Sequence, residues 1–140
     1  MTMTVYSRDD LAGVLRDHAV NPTHQRIEIA RALFSGHGHL SADQVLAMVN
    51  DQRCETSKAT VYNTLSLFLR KNLIREVIVD PNKVFYDANT MPHHHFYNID
   101  TGELTDIDAE AVSVHGLPTL PDGMITEGVD IIVRIRSEGV

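Results

Sequence analysis

Four times in the first 57 residues, a serine or threonine stands just ahead of an amphipathic stretch. The four are Ser7, Thr23, Ser41 and Ser57. A hydroxyl in that position accepts a hydrogen bond from an orphan N–H of the first helical turn, so each marks a helix start. Asp10 and Gln44 stand three residues after Ser7 and Ser41, completing the capping-box pattern. Behind the caps, Leu11, Val14 and Leu15, then Ile27, Ala30, Leu33 and Phe34, then Val45, Met48 and Val49, then Val61, Leu65, Phe68 and Leu69 recur at helical spacing. Asn21-Pro22 breaks the first helix, the glycines around His37 end the second, and Asn72 ends the last in the left-handed conformation. Leu73 to Val79 is rich in branched residues, Asp80-Pro81-Asn82-Lys83 is a turn, and Val84-Phe85-Tyr86 resumes a strand. Helices at 23–35, 41–50 and 57–71 followed directly by a β-hairpin describe a winged helix-turn-helix, with the hairpin as wing.

Beyond residue 89 the chain changes character. Residues 1–89 carry ten Lys/Arg and ten Asp/Glu, whereas residues 90–140 carry two and nine, so the net charge of −7 resides in the second part. A neutral first module can still present a basic face, because binding follows local potential. We therefore divide the chain into a winged-helix module, 1–88, and a second, acidic module, 89–140. In the latter, His94 to Ile99 and Glu103 to Ile107 read as strands around Asp100-Thr101-Gly102. Val112-Ser113-Val114 reads as a short strand, Leu117 to Gly123 as loop, and Val129 to Ile135 as the strongest strand. The fold class is α/β, in the α+β sense.

No apolar run reaches the roughly 18 residues of a membrane span, and the first residues lack a secretion h-region, so a cytoplasmic location and no membrane partner are expected. The single cysteine, Cys54, forbids an intrachain disulfide or a multi-cysteine zinc site within one chain. Eight histidines, three of them consecutive, point instead to a metal. Side chains alternate along a strand, so His93 and His95 share one face and His94 takes the other. Asp87 approaches that face from the wing, Asp106 lies on the next strand, and His39 comes in from the first module. Three imidazoles and two carboxylates suit Fe(II) or Mn(II), with Zn(II) as a substitute. Ligands drawn from both modules would fix their relative angle. His18, His24 and His37 read as surface or cap residues, and Cys54 as a loop residue without a reactive role.

With Val61 at the centre of the buried face of helix 57–71, Ala59, Tyr62, Asn63, Ser66 and Arg70 point away from it. A methyl, a phenol, an amide and a cation suit a major groove, and the helix start near Ser57 and Lys58 suits a phosphate. The bland alternative is a solvated polar face.

Thr23-His24-Gln25-Arg26, His39-Leu40-Ser41-Ala42-Asp43, Ser57-Lys58-Ala59-Thr60-Val61-Tyr62-Asn63-Thr64-Leu65 and His93-His94-His95-Phe96 together resemble the ferric uptake regulator (Fur) family. The resemblance implies a homodimeric, metal-dependent repressor of iron-homeostasis or oxidative-stress genes, acting on a palindromic AT-rich duplex. It places the regulatory metal on His39, Asp87, His93, His95 and Asp106 and DNA contacts on Arg26 and Tyr62, and helix 57–71 adds Ser57, Lys58, Ala59, Thr60 and Asn63 to the candidate DNA-binding set. The resemblance makes 1–88 the winged-helix DNA-binding domain and 89–140 the dimerisation and metal-sensing domain. Asp106 resembles the peroxide-sensing branch. The unbroken histidine run resembles the iron response regulator branch, which is associated with haem. His94, Glu110 and His115 match a partial second site for metal or haem. Asn98 and Thr101 stand where most members carry a Cys-x-x-Cys pair, so no four-cysteine structural zinc is expected. Asn21 replaces a basic residue, and the usual long helix of the dimerisation domain is missing or reduced. The signal could be metal, haem or peroxide. A small metalloenzyme is the alternative from another class, and it lacks an evident general base beside an open coordination position.

Overall fold

A computed structural model describes residues 5–36, 38–51 and 55–139. His37 and Cys54 lie outside them. The chain forms two compact units, Met1–Thr90 and Met91–Val140.

The first unit contains α1 (Arg8–Asp17), α2 (His24–Phe34), α3 (Ala42–Asp51), α4 (Lys58–Arg70), β1 (Arg75–Asp80) and β2 (Lys83–Asp87). All four expected caps are made. Ser7 and Asp10 close a full capping box, Thr23 accepts from Arg26 N–H, Ser41 and Gln44 bond reciprocally, and Ser57 accepts from Thr60 N–H. Leu11, Leu15, Ile29, Val45, Val49, Val61, Leu65 and Phe68 form a fully buried core shared by the four helices.

Two helices end in the same way. At the end of α4, Asn72 takes φ 59°, as expected, and Leu73 N–H donates to the Phe68 carbonyl at 3.0 Å. At the end of α1, Ala19 also takes φ 59°, and Val20 N–H donates to the Leu15 carbonyl at 2.8 Å. Both are Schellman closures, in which the residue after the left-handed one packs back on the helix. Val20 and Leu73 are accordingly buried. Leu73 and Ile74 therefore serve the helix closure and the core, and β1 starts at Arg75 rather than at the expected Leu73.

β1 and β2 pair antiparallel from Arg75↔Asp87 to Asp80↔Lys83, with an irregularity between Ile78 and Asp80. The Asp80 carboxylate accepts from Asn82 N–H at 2.7 Å and pins the expected turn.

The second unit is a three-stranded sheet in the order β4-β3-β5, built from β3 (His93–Asn98), β4 (Leu104–Asp108) and β5 (Ile132–Ile135). β4 runs antiparallel to β3 and β5 parallel to it. The expected strand at Val112–Val114 does not form. A single 3₁₀ turn at Ala109–Ala111 ends β4, and the chain continues without regular structure to residue 131. The expected strand over Val129–Ile135 shortens to Ile132–Ile135, because β-branched residues form a ladder only where a partner strand lies beside them. No α-helix occurs among the described residues of this unit.

The turn between β3 and β4 is held by side chains. The Asn98 amide oxygen accepts from Asp100 N–H at 2.9 Å and Thr101 N–H at 3.2 Å, and the Thr101 hydroxyl accepts from Glu103 N–H at 3.2 Å. These are the two positions at which the family resemblance would place a cysteine pair.

Candidate metal centre and nucleic-acid interface

In the first unit, Leu40 and Tyr86 form an isolated antiparallel bridge, with Tyr86 N–H donating at 2.7 Å and Leu40 N–H at 3.2 Å. Residues one step outside such a pair face each other on the opposite side of the ribbon. Leu40 and Tyr86 enter the core, and His39 and Asp87 meet on the other side, with Nε2 to Oδ2 at 3.1 Å. Asn89 N–H donates to the other Asp87 oxygen at 2.9 Å, which orients the carboxylate.

In the second unit, alternation and register produce a second cluster. His95 lies directly across from Asp106, and His93 lies two residues along the same face. Asp106 Oδ1 is 3.3 Å from His93 Nε2 and 3.5 Å from His95 Nε2, and the two rings stand 4.6 Å apart, edge to face. His93 Nδ1 lies 2.7 Å from the Met91 carbonyl. A carbonyl can only accept, so Nδ1 carries a proton, and Nε2 is the ring nitrogen left for a ligand role in the cluster.

Both clusters have the dimensions of a coordination polyhedron. Donors bound at ~2.1 Å lie about 3.0 to 3.4 Å apart in octahedral or tetrahedral geometry. The observed separations of 3.1 and 3.3 Å fall within that range, and 3.5 Å lies just above it. Neutral imidazole and carboxylate donors without a thiolate fit a divalent first-row ion.

His94 faces the other way. It is buried, and its Nδ1 accepts from Ile131 N–H at 3.1 Å. The neighbouring His95 N–H donates to the Ile131 carbonyl at 3.1 Å, so both polar groups of residue 131 are engaged by β3. Glu110 sits on the exposed 3₁₀ turn and His115 in the exposed segment beyond it. Among the described residues, no group of three metal-capable side chains forms around His94, Glu110 and His115.

On α4, Val61, Leu65 and Phe68 are buried while Ala59, Tyr62, Asn63, Ser66 and Arg70 are exposed, as the periodicity predicts. The Ser57 hydroxyl caps the helix and donates to Thr60 Oγ1 at 2.9 Å. Lys58 Nζ stands 5.8 Å from the centre of the Tyr62 ring and 3.7 Å from Asp43. That ion pair is largely exposed on both sides and therefore weak, so Lys58 can exchange it for another anion at little cost. Arg26 is half-buried on α2 and donates from one guanidinium nitrogen to the Asn21 carbonyl at 3.0 Å. Burial, then the charges of Glu76 and Tyr62, push the Tyr86 phenol above its ordinary 10.0, so it remains protonated at neutral pH.

Two supports were missed in the sequence. The Gln25 amide donates to the Glu55 carbonyl at 3.3 Å, and Thr56 N–H donates to the Asn50 side chain at 3.0 Å. Both brace the segment leading into α4. No local pattern announces the first of them, because its partners are far apart in sequence.

The profile of the Ferric uptake regulator family matches residues 17–119. The peroxide-responsive repressor PerR of Staphylococcus epidermidis is 32% identical over 92 residues, covering 66% of this chain and 61% of that protein. The Staphylococcus aureus protein of the same name is also 32% identical, and the match covers 62% of its length. This chain thus spans about three fifths of the curated relatives it matches. Among solved structures, the Pseudomonas aeruginosa ferric uptake regulator with manganese superposes with TM-score 0.69 at 22% identity, over 91% of this chain and 97% of that one. The Vibrio cholerae ferric uptake regulator gives TM-score 0.71 at 18% identity, over 90% and 98%. At those identities the structures establish the fold. The profile match over residues 17–119 shows that the chain belongs to the ferric uptake regulator family.

Proposed function

We propose that this chain is a metal-responsive DNA-binding transcription regulator, a repressor of iron-homeostasis or oxidative-stress genes that works as a homodimer. The observation that carries the reading is the pair of imidazole–carboxylate clusters, one on each unit, both at coordination-edge spacing. In this reading His39 and Asp87 of the first unit and His93, His95 and Asp106 of the second hold one divalent ion, Fe(II) or Mn(II), with Zn(II) as a substitute. A bound ion supplies a cross-link between the units. The chain's own residues do the rest. The Met91 carbonyl and Asn89 N–H orient two of the ligands, and residues 88–92, which belong to no helix or strand, form the joint. Tyr62, Asn63 and Ala59 read bases, while Arg26, Lys58 and the α4 start near Ser57 and Thr60 take phosphates. Two α4 helices, one per protomer, would address half-sites about 34 Å apart on a palindromic AT-rich duplex.

Dimerisation is supported by the second unit's surface. Phe96, Val133 and Ile135 lie on the sheet face opposite His93 and His95, and each is more than a third exposed. Solvated apolar groups of this kind on one sheet face suit a second copy. No helix among the described residues is long and apolar enough to cross a membrane. Membership in a family of regulators sets aside the metalloenzyme alternative.

The test uses the whole chain and a duplex recovered by selection from a random-sequence pool. Fluorescence anisotropy should show binding at least about tenfold tighter with Mn(II) than in chelator. Asn63→Ala should lose about 1 to 3 kcal/mol of discrimination between that duplex and a scrambled one. Equal affinity with and without metal overturns the reading.

The 32% identity to peroxide-responsive repressors favours peroxide as the signal. Iron-loaded protein exposed to peroxide should then gain an oxygen on His39 or His93. A peptide mass map with neither residue modified excludes it.

A further inference from the structure

Beside the exposed crest of α4 runs a furrow of about 510 Å³ between that helix and the start of α2. Thr60, Asn63 and Arg70 border it on α4, and Thr23, Gln25 and Arg26 border it on the other side. The ten helical steps from Thr60 to Arg70 rise ~15 Å along the helix axis, whereas one DNA strand advances ~3.4 Å per phosphate. In a chain of net charge −7, this furrow has two arginines, Arg26 and Arg70, on its border and no carboxylate among the described residues lining it. Neither α2 nor α4 carries an acidic residue in its first turn, in contrast to α1, which carries Asp9 and Asp10. The rest of the described lining, hydroxyls and amides with Leu67, is uncharged, so two cations without a competing anion can hold a polyanion.

We infer that this furrow is the track of one DNA strand's sugar–phosphate backbone, and that Arg70 is a phosphate contact additional to Arg26. The inference rests on the DNA-binding reading above and divides the labour within it. The crest residue Tyr62 discriminates sequence, whereas Arg70 supplies affinity that is blind to sequence and sensitive to salt. Gln25 and Arg26 are already tethered to the Glu55 and Asn21 carbonyls, so the far wall of the track is fixed before DNA arrives. The exposed Arg70 completes the track from the α4 side.

Arg70→Gln and Arg70→Lys are compared with wild type, all loaded with Mn(II), on the selected duplex and on a random-sequence duplex of equal length across a salt series. Circular dichroism verifies that each variant is folded. Arg70→Gln should weaken binding three- to tenfold on both duplexes and reduce the slope of log K against log salt by about 0.9, the value for one phosphate. Arg70→Lys should retain most of the slope. An unchanged slope overturns the track while leaving the regulator reading intact. A loss confined to the selected duplex also overturns it, by making Arg70 a base reader. A wild-type chain that binds neither duplex under any metal condition removes both readings.

Discussion

Replacing His93 and His95 together with alanine should weaken Mn(II) retention by more than about 100-fold and abolish metal-dependent DNA binding. Loss of a partner that merely orients a ligand typically costs about 10- to 100-fold in metal affinity, so removing two donor atoms costs more. The two imidazoles supply two of the three donors in their cluster, and Asp106 Oδ1 lies within 3.5 Å of both. His95 is 1% exposed, so alanine there also opens a void. Asp106→Asn separates the two effects. That carboxylate is about half exposed, its amide has nearly the same shape, and it forfeits one negative charge without a packing defect. It should lower metal affinity by an intermediate factor with an unchanged melting temperature. Calorimetric titration with Mn(II) and elemental analysis after dialysis provide the measurement. Wild-type retention in the double variant would remove β3 from the centre.

Phe68→Ala should destabilise the first unit by about 3 to 5 kcal/mol. The ring is fully buried in the core of the first unit, and a domain of this size holds only about 5 to 15 kcal/mol in total. At ~4 to 8 °C per kcal/mol, the melting temperature should fall by well over 10 °C. Phe68 also provides the carbonyl that Leu73 N–H uses to close α4, so collapse around the smaller side chain should disturb the entry to β1. DNA binding should fail with the fold, although the residue lies on the side of α4 away from Tyr62. Thermal melts followed by far-ultraviolet circular dichroism decide the matter, and a shift of only a few degrees would contradict the assigned core.

Local chemistry made much of this legible. Ser7, Thr23, Ser41 and Ser57 announced four helix starts because capping depends on residues within one turn, and Asn72 announced a stop because its side chain tolerates positive φ. Ala19 adopts the same φ without a sequence signal. The residue after it, Val20, is buried in the core, and that burial is set by tertiary packing. Within the second unit, the alternation of a strand was enough to group His93 and His95, and the β3–β4 register then set Asp106 across from His95. The pairing of His39 with Asp87 was harder to read, because it depends on one bridge between Leu40 and Tyr86 across a long sequence separation. Strand length at Val129–Ile135 was overestimated, since composition reports the tendency to extend but not how far a neighbour reaches.

The turn fastened by Asn98 and Thr101 has a chemical consequence. An amide and a hydroxyl have no accessible redox couple, and neither surrenders its bonds to a chelator. This corner of the sheet is therefore indifferent to thiol-directed oxidants and to zinc starvation, the two insults that would unfasten a cysteine-clamped knuckle.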